Sequence, residues 1–314
     1  MADSPFLFSA DNKRYHTLRY HLNQCFPDFR AVKAPLDAGF TCPNIDGSKG
    51  RGGCTYCLSG SGQFAPDSHL SITCQLEQER LRIRQKWPNA QLIAYFQSHT
   101  NTYAPLPVLR ALYEEALAQP YVCGLSVATR ADCLSSETIQ YLGDISHRCY
   151  LTVELGLQTV HDDTARRINR GHSWSEFAEG YHALKSAGVR VCVHLINGLP
   201  GESRQDMIES ARVLGRMRPD WVKIHLLHIL QGTPMDAELE RGEVRPMEKE
   251  AYIRTVADQL ELLPPETVLE RLTGDGPKEL LIAPGWSADK ISVLGGIDRE
   301  MARRNTVQGA LFQP

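Results

Sequence analysis

The sequence predicts an α/β fold whose parallel sheet is wound by helices. Six short, mostly apolar runs indicate buried strands. A helical pattern separates each run from the next, which is typical of right-handed βαβ crossovers. Six such units form an open doubly wound sheet or a partial barrel, and in both the functional groups lie at the carboxyl ends of the strands. The runs cover residues 31–36, 91–97, 121–128, 149–155, 190–196 and 221–227.

Local signals support the intervening helices. Ser173 and Glu176 have the spacing of a capping box ahead of a helical segment. Ser203 can cap the helix after the fifth strand. Two i,i+4 ion pairs are predicted on a short helix, Asp162–Arg166 and Asp163–Arg167.

Length and composition limit the class of protein. The chain has 314 residues, of which 42% are hydrophobic and 23% charged, as in ordinary globular proteins. It shows neither a signal-peptide pattern nor an apolar stretch of about 18 residues, so we expect a cytoplasmic protein that does not cross a membrane. The net charge is −3, so any RNA contact must rest on a local basic patch.

The cysteines point to a metal or cluster site. Nine thiols, in a chain without an export signal, favour metal binding over disulfides. Cys42, Cys54 and Cys57 lie on a glycine-rich loop, residues 39–62, just after the first strand. A structural zinc site needs a fourth ligand, for which His69 is the candidate. A 4Fe–4S cluster with three cysteine ligands leaves one iron open instead, and glycines let the backbone approach such a bulky group.

Several blocks of sequence resemble one family. They include "GRGGCTYC", "AYFQSHTNTYAP", "VELGLQTVHDDTARRINRGH", "HLINGLPGE" and "RLTGDGPKELLIAPGW". With the three cysteines, they resemble the radical S-adenosylmethionine superfamily, and within it the YhcC/YtqA-like (MnmL-like) family, which is related to the elongator catalytic subunit. The usual superfamily spacing is Cys-x3-Cys-x2-Cys, and the longer first gap here matches that family.

The resemblance implies a fold and a chemistry. The fold is a partial (βα)6 TIM-like barrel over residues 31–230, with an N-terminal extension, 1–30, and a C-terminal closing region, 231–314. Cys42, Cys54 and Cys57 would each bind one iron of a 4Fe–4S cluster, and the fourth iron would bind S-adenosylmethionine. An electron from a donor such as flavodoxin or ferredoxin would generate a 5′-deoxyadenosyl radical, which abstracts a hydrogen atom from the substrate.

The resemblance also implies a cofactor pocket at the strand ends. Tyr56 is expected against the adenine, and Glu154 and Gln158 at the ribose hydroxyls and the carboxylate. The remaining expected contacts are Gln97, Ser98, Thr129, Arg130, Asn197 and Gly198. Gln97 and Ser98 stand where related enzymes often have a Gly-Gly-Glu segment.

Structural roles compete with these functional ones. Glu154 is costly to bury in an apolar strand without a partner, which favours a function. Arg130 is as readily explained by an ion pair with Asp132. Three histidines are more simply explained as satisfied core groups: His194, His225 and His228.

The resemblance implies tRNA as the substrate. The MnmL-like relatives look like enzymes that trim the wobble nucleoside 5-carboxymethylaminomethyluridine toward 5-aminomethyluridine. The densest basic and aromatic run, residues 12–33, predicts phosphate contacts from Lys13, Arg14 and Arg19. Two alternatives stay open: a radical enzyme acting on a small metabolite, favoured by the negative net charge, and a non-catalytic scaffold with zinc bound by Cys42, Cys54, Cys57 and His69.

Overall fold

A curved parallel sheet of seven strands forms the centre of the protein. The computed structural model describes residues 6–8, 12–58, 65–274 and 276–313. All six predicted strands form and pair in chain order, and a seventh parallel strand, β8, pairs with the sixth. The strands are β1 (Ala31–Leu36), β2 (Gln91–Phe96), β3 (Val122–Thr129), β4 (Tyr150–Gln158), β5 (Arg190–Asn197), β6 (Trp221–Leu226), β7 (Ile229–Leu230), β8 (Val268–Arg271) and β9 (Leu281–Ala283). β7 and β9 form a separate antiparallel pair.

Helices connect the strands, as the alternating pattern predicts. They are α1 (Leu18–Cys25), α2 (Ile72–Arg84), α3 (Leu106–Leu117), α4 (Ser136–Arg148), α5 (Asp162–Arg167), α6 (Trp174–Ser186), α7 (Arg204–Met217), α8 (Pro234–Glu240), α9 (Lys249–Leu262) and α10 (Lys290–Arg304). Within the described ranges, none of them is both long and apolar enough to cross a membrane.

The local predictions have mixed outcomes. The capping box of Ser173 and Glu176 forms, and Ser203 caps α7 in a second capping box. Both i,i+4 ion pairs are wrong. The structure instead contains the pairs Arg166–Asp163 and Arg167–Glu238, because Arg167 reaches outward to α8.

Alternation along the strands decides which side chains face the concave side of the sheet. Phe96 and Val153 are fully buried in the main hydrophobic core, which packs against the helices. Their neighbours Tyr95 and Glu154 point to the opposite face, because successive side chains of a strand alternate. There they line an internal cavity.

The sheet is open between β1 and β8. These are its two edge strands, so the barrel is incomplete on that side. The segment before α1 covers part of the edge through a parallel bridge between Thr17 and Leu269. Because β8 belongs to the main sheet, the sheet crosses the boundary expected at residue 230, and the division at that residue stays a prediction.

Candidate active site

One cavity of about 740 Å³ joins three parts of the fold. The first, which we call the cysteine end, is the loop after β1. The second is the concave centre of the sheet, and the third is the open side between β1 and β8. The lining includes Cys42, Cys54, Tyr56 and Cys57 at the cysteine end, Lys33, Tyr95, Glu154, His194 and Lys223 at the centre, and Arg19, Arg30, Trp87, Glu270 and Arg271 at the open side.

The cysteine loop is held by its own backbone and by Asn44. The N–H of Cys57 donates to the carbonyl of Cys54 at 2.9 Å. Asn44 is fully buried, and its Nδ2 lies 3.7 Å from the Sγ of Cys54. A Cβ atom at Gly50 would lie 2.3 Å from the Oδ1 of Asn44, so a larger residue there would have to displace this buried side chain. The loop glycines therefore allow a tight wrap around a buried amide beside the thiols.

Two arginines lie beside these thiols. Arg130 makes a bidentate ion pair with Asp132, at 2.8 and 2.9 Å, and its Nη1 is 4.0 Å from the Sγ of Cys42. Arg170 is also buried, and its Nε has no hydrogen-bond partner in the described part of the chain. Arg130 thus makes the predicted pair with Asp132 and still lines the cavity.

The cysteine end does not have the geometry of a tetrahedral zinc site. Burial, together with the neighbouring thiols of Cys54 and Cys42, raises the pKa of Cys57 to about 12. As far as the structure describes the chain, the three sulfurs do not all lie within 4.8 Å of one another. Tetrahedral zinc with Zn–S bonds of about 2.3 Å would hold them about 3.8 Å apart. His69 is exposed and does not line the cavity, so the geometry gives the zinc site little support.

A group of charged side chains fills the centre of the sheet. We call Lys33, Tyr95, Glu154, Lys223 and Glu270 the ion cage. The Oε1 of Glu154 lies 2.5 Å from the Nζ of Lys33, and its Oε2 lies 2.5 Å from the Nζ of Lys223. Glu270 pairs with both lysines, at 2.7 and 3.0 Å. The Tyr95 hydroxyl donates to Glu154 at 2.8 Å.

Two further groups bind Glu154. The Ser126 hydroxyl donates to its Oε1 at 2.9 Å, and His194 Nε2 lies 2.8 Å from its Oε2. Burial alone would raise the pKa of Glu154, but Lys223 and Lys33 hold it well below its usual value. Burial, and then the Lys223 charge, lower the pKa of His194. Glu154 is therefore a carboxylate and His194 a neutral donor at pH 7.

The structure brings most of the predicted site residues to the cavity. Those that line it are Cys42, Cys54, Tyr56, Cys57, Gln97, Thr129, Arg130, Glu154 and Gln158. Glu154 already accepts from five side chains, so its carboxylate is not available to bind ribose or an amino acid group.

Three predicted residues do not line the cavity. Ser98 follows Gln97 and takes the opposite face of the chain, where it is fully buried. The amide of Asn197 makes two hydrogen bonds with that of Gln259 in α9, at 2.8 and 2.9 Å. Gly198 has φ +87° and lies against Met247. The alternation of side chains and the packing of α9 explain these positions.

The sequence does not identify the charged centre of the cavity as part of the site. Among the lining residues without a predicted role there are Lys33, Tyr95, Arg170, Lys223 and Glu270. A lysine or glutamate inside an apolar strand was the available signal, since such residues are rarely buried unless paired. The partners lie up to 237 positions apart, so their pairing was not readable from the sequence.

Two protein-family models and one relative match this chain over most of its length. The family model described as the Radical SAM superfamily matches residues 47–214, and that of the Radical_SAM C-terminal domain matches 219–303. YtqA of Bacillus subtilis is 46% identical over 314 residues, covering 100% of this chain and 97% of YtqA.

Matches at lower sequence identity include an RNA-modifying enzyme and a solved structure. The tRNA uridine(34) acetyltransferase of Dehalococcoides mccartyi is 30% identical over 169 residues, 53% of this chain and 36% of that protein. The solved structure of Methanocaldococcus infernus Elp3 matches with a TM-score of 0.68 at 17% identity, covering 89% of this chain and 64% of Elp3. This likeness and the Radical SAM match confirm the predicted TIM-like partial-barrel fold.

Proposed function

The chain belongs to the radical S-adenosylmethionine (radical SAM) superfamily, and from that premise we propose that it modifies tRNA by radical chemistry. The proposed reaction trims the side chain of the wobble nucleoside 5-carboxymethylaminomethyluridine toward 5-aminomethyluridine. The observation that carries this proposal is the cavity, which runs from three thiols at one end to a charged centre and an open side. An electron donor such as flavodoxin or ferredoxin completes the proposed system.

The cysteine end fits a 4Fe–4S cluster. Cys42, Cys54 and Cys57 supply one thiolate for each of three irons, while Arg130 and Arg170 offset the added negative charge. With S-adenosylmethionine, such a cluster supplies a carbon-centred radical that takes a hydrogen atom from the substrate. The protein's own task is to position both partners and keep water away.

Residues around the cysteine end are proposed to hold S-adenosylmethionine. Tyr56 is half-buried and lines the cavity beside the thiols, which suits contact with the adenine. Gln97, Thr129 and Gln158 line the same end of the cavity at the ends of β2, β3 and β4. We assign the cofactor carboxylate to Arg170, whose buried Nε has no partner in the described ranges, rather than to Glu154.

The open side of the cavity is the proposed entrance for tRNA. Arg19 and Arg30 are exposed there, and the Arg30 guanidinium stacks 4.3 Å from the ring centre of Trp87. Cations beside an aromatic face suit phosphates and an unstacked base. Of the three predicted RNA contacts, Arg19 lines the cavity, whereas Lys13 pairs with Asp298 and Arg14 donates to the carbonyl of Thr306 at 3.1 Å. We therefore keep Arg19 as a proposed RNA contact and add Arg30. The resemblance to a tRNA uridine(34) enzyme gives further support.

Nucleoside analysis of a deletion strain tests the proposal. Its tRNA should accumulate 5-carboxymethylaminomethyluridine and lose the 5-aminomethyl products. A plasmid copy of the gene should reverse this, and so should its Cys74→Ala variant, which changes an exposed cysteine on α2. The Cys54→Ala variant should not. Unchanged wobble nucleosides in the deletion strain would refute the tRNA assignment and leave the small-metabolite alternative.

A further inference from the structure

An ion pair closes the open side of the barrel. Lys33 lies on β1 and Glu270 on β8, the two edge strands of the sheet. Their charged atoms are 2.7 Å apart, and both side chains line the cavity. The Lys33 side chain is 12% exposed and that of Glu270 is 6% exposed. We call Lys33 and Glu270 the edge pair.

The two carboxylates of the ion cage are held differently. Glu154 accepts from both lysines and from three neutral donors on β2, β3 and β5, namely Tyr95, Ser126 and His194, so it keeps four partners if Lys33 turns away. Glu270 accepts from the two lysine ammonium groups, and Cys192 Sγ lies 3.9 Å from it. Glu154 and Lys223 are therefore held in place, whereas the two residues of the edge pair can separate to bind a guest molecule.

The charges of the cage restrict that guest. Lys33 and Lys223 balance Glu154 and Glu270, so the cage itself is neutral. Arg271 lines the same cavity but is only half-buried, at its open side. A guest with a single charge would leave one buried charge unpaired, which is costly at low dielectric. A metal ion is disfavoured for the same reason, because Lys33 and Lys223 already neutralise Glu154. A guest that carries one ammonium and one carboxylate can insert into the edge pair without changing the net charge.

We propose that the ion cage is a binding site for a zwitterionic secondary amine, R–CH₂–NH₂⁺–CH₂–COO⁻, with the ammonium on Glu270 and the carboxylate on Lys33. This deepens the proposed function and rests on it, because the carboxymethylaminomethyl group is such a zwitterion. The cage then recognises the part of the substrate that distinguishes the modified uridine from the unmodified one.

The cage adjoins the site proposed for the cofactor. Glu154, Gly156 and Gln158 all lie on β4 and line the cavity. Arg170, to which we assign the cofactor carboxylate, donates to the carbonyl of Gly156, two positions along β4 from Glu154. The cage is therefore built from different groups than the proposed cofactor site but lies next to it, as hydrogen abstraction from a side chain held in the cage requires.

A small probe tests the site directly. N-methylglycine reproduces the zwitterion, while acetate and dimethylammonium each carry one of its charges. Saturation-transfer NMR on the anaerobically prepared holoprotein should show binding of N-methylglycine and much weaker signals for the other two. The double variant Lys33→Gln/Glu270→Gln, which leaves no unpaired charge, should bind N-methylglycine about tenfold or more weakly. Its S-adenosylmethionine affinity should match the parent. Lys185→Gln, which breaks an ion pair with Asp220 that does not line the cavity, is the control.

Several results would overturn the inference. Equal binding of acetate would make the cage a simple anion site. Unchanged N-methylglycine binding in the double variant, or no detectable binding in the parent, would place the recognition elsewhere. A loss of S-adenosylmethionine affinity in the double variant would assign the cage to the cofactor. The deletion strain reports on tRNA independently, so specific N-methylglycine binding with unchanged wobble nucleosides would retain the site and reject the tRNA substrate.

Discussion

The cysteine end and the ion cage are two polar regions of one cavity, built in opposite ways. The thiols come from 16 consecutive residues, 42–57. They lie beside two buried atoms, Asn44 Oδ1 and Arg170 Nε, that have no hydrogen-bond partner among the described residues. The charges of the ion cage come from four strands that are far apart in the sequence, from Lys33 on β1 to Glu270 on β8. Each of these charges is paired. The polar groups of the first region can receive a guest, whereas those of the second are satisfied without one.

This difference explains what could be predicted from the sequence. A short cysteine spacing on one loop is a local pattern, so the three thiols and their glycines were recognised together. The six strands were likewise recognised from local apolar runs, and their bounds agree with the structure within a few residues.

The cage could not be predicted in the same way. Its pairs depend on strand register and on β8, whose register against β6 shifts between Val222 and Lys223. A one-residue change in register moves a side chain to the other face of a sheet. Glu154 was recognised as unusual for its strand, but its partners Lys33 and Lys223 required the assembled sheet.

The largest expected effect comes from removing a thiol at the cysteine end, which leaves the ion cage intact. Replacing Cys42, Cys54 or Cys57 by Ala should remove most of the bound iron and all activity, because each thiolate is proposed to hold a different iron. The melting temperature of the apoprotein should change little, since these side chains lie on a loop. Iron content and thermal melts of anaerobic preparations measure both, with Cys74→Ala as the control. Retained iron in any of the three variants would refute the ligand assignment.

The second effect breaks the ion cage. Glu154→Gln should lower the free energy of unfolding by about 3–5 kcal/mol, because it leaves two buried ammonium groups with one carboxylate. Glu209→Gln, which breaks a partly exposed pair with Arg212, should cost about 0–1 kcal/mol. Urea unfolding of the apoproteins measures both changes. A Glu154→Gln protein as stable as Glu209→Gln would show that the cage does not support the fold.

The third effect concerns pH and compares two histidines outside the cavity, one near the cysteine end and one on α1. Burial, and then the charges of Arg170 and Arg130, lower the pKa of His172, near the cysteine end, to about 3. Burial, and then His16, lower the pKa of His21, on α1, to about 4. Below about pH 6.5 the unfolded chain therefore binds more protons than the folded protein. The two histidines contribute their full stabilisation above that pH, and this contribution falls as the pH drops toward 4.

Variants of the two histidines show how much of this pH dependence each residue causes. Each histidine contributes a slope of about 1.4 kcal/mol per pH unit within its window. His172→Gln and His21→Gln should each reduce the slope of unfolding free energy against pH by about that amount. Urea unfolding between about pH 4 and 7 measures it. A slope that neither variant changes would mean that other groups cause the acid sensitivity.

The smallest effect concerns the open side, where the cage meets the proposed RNA entrance. The double variant Arg19→Gln/Arg30→Gln removes two exposed cations at the rim of the cavity. If both contact phosphates, tRNA affinity should fall severalfold, and the slope of log affinity against log salt should become shallower by about 0.7–0.9 for each lost contact. Filter binding at several salt concentrations measures both quantities.

The matched control changes two arginines elsewhere. Arg212 and Arg216 lie on α7, pair with Glu209, and do not line the cavity. Their glutamine variants should leave tRNA affinity and its salt slope unchanged, since a general loss of positive charge is equal in the two proteins. Equal losses in both would mean that the RNA responds to net charge rather than to this entrance. If the Arg19→Gln/Arg30→Gln protein keeps the tRNA affinity and salt slope of the parent, the tRNA reaches the cavity by another route. The edge pair of Lys33 and Glu270 would then not lie on its path.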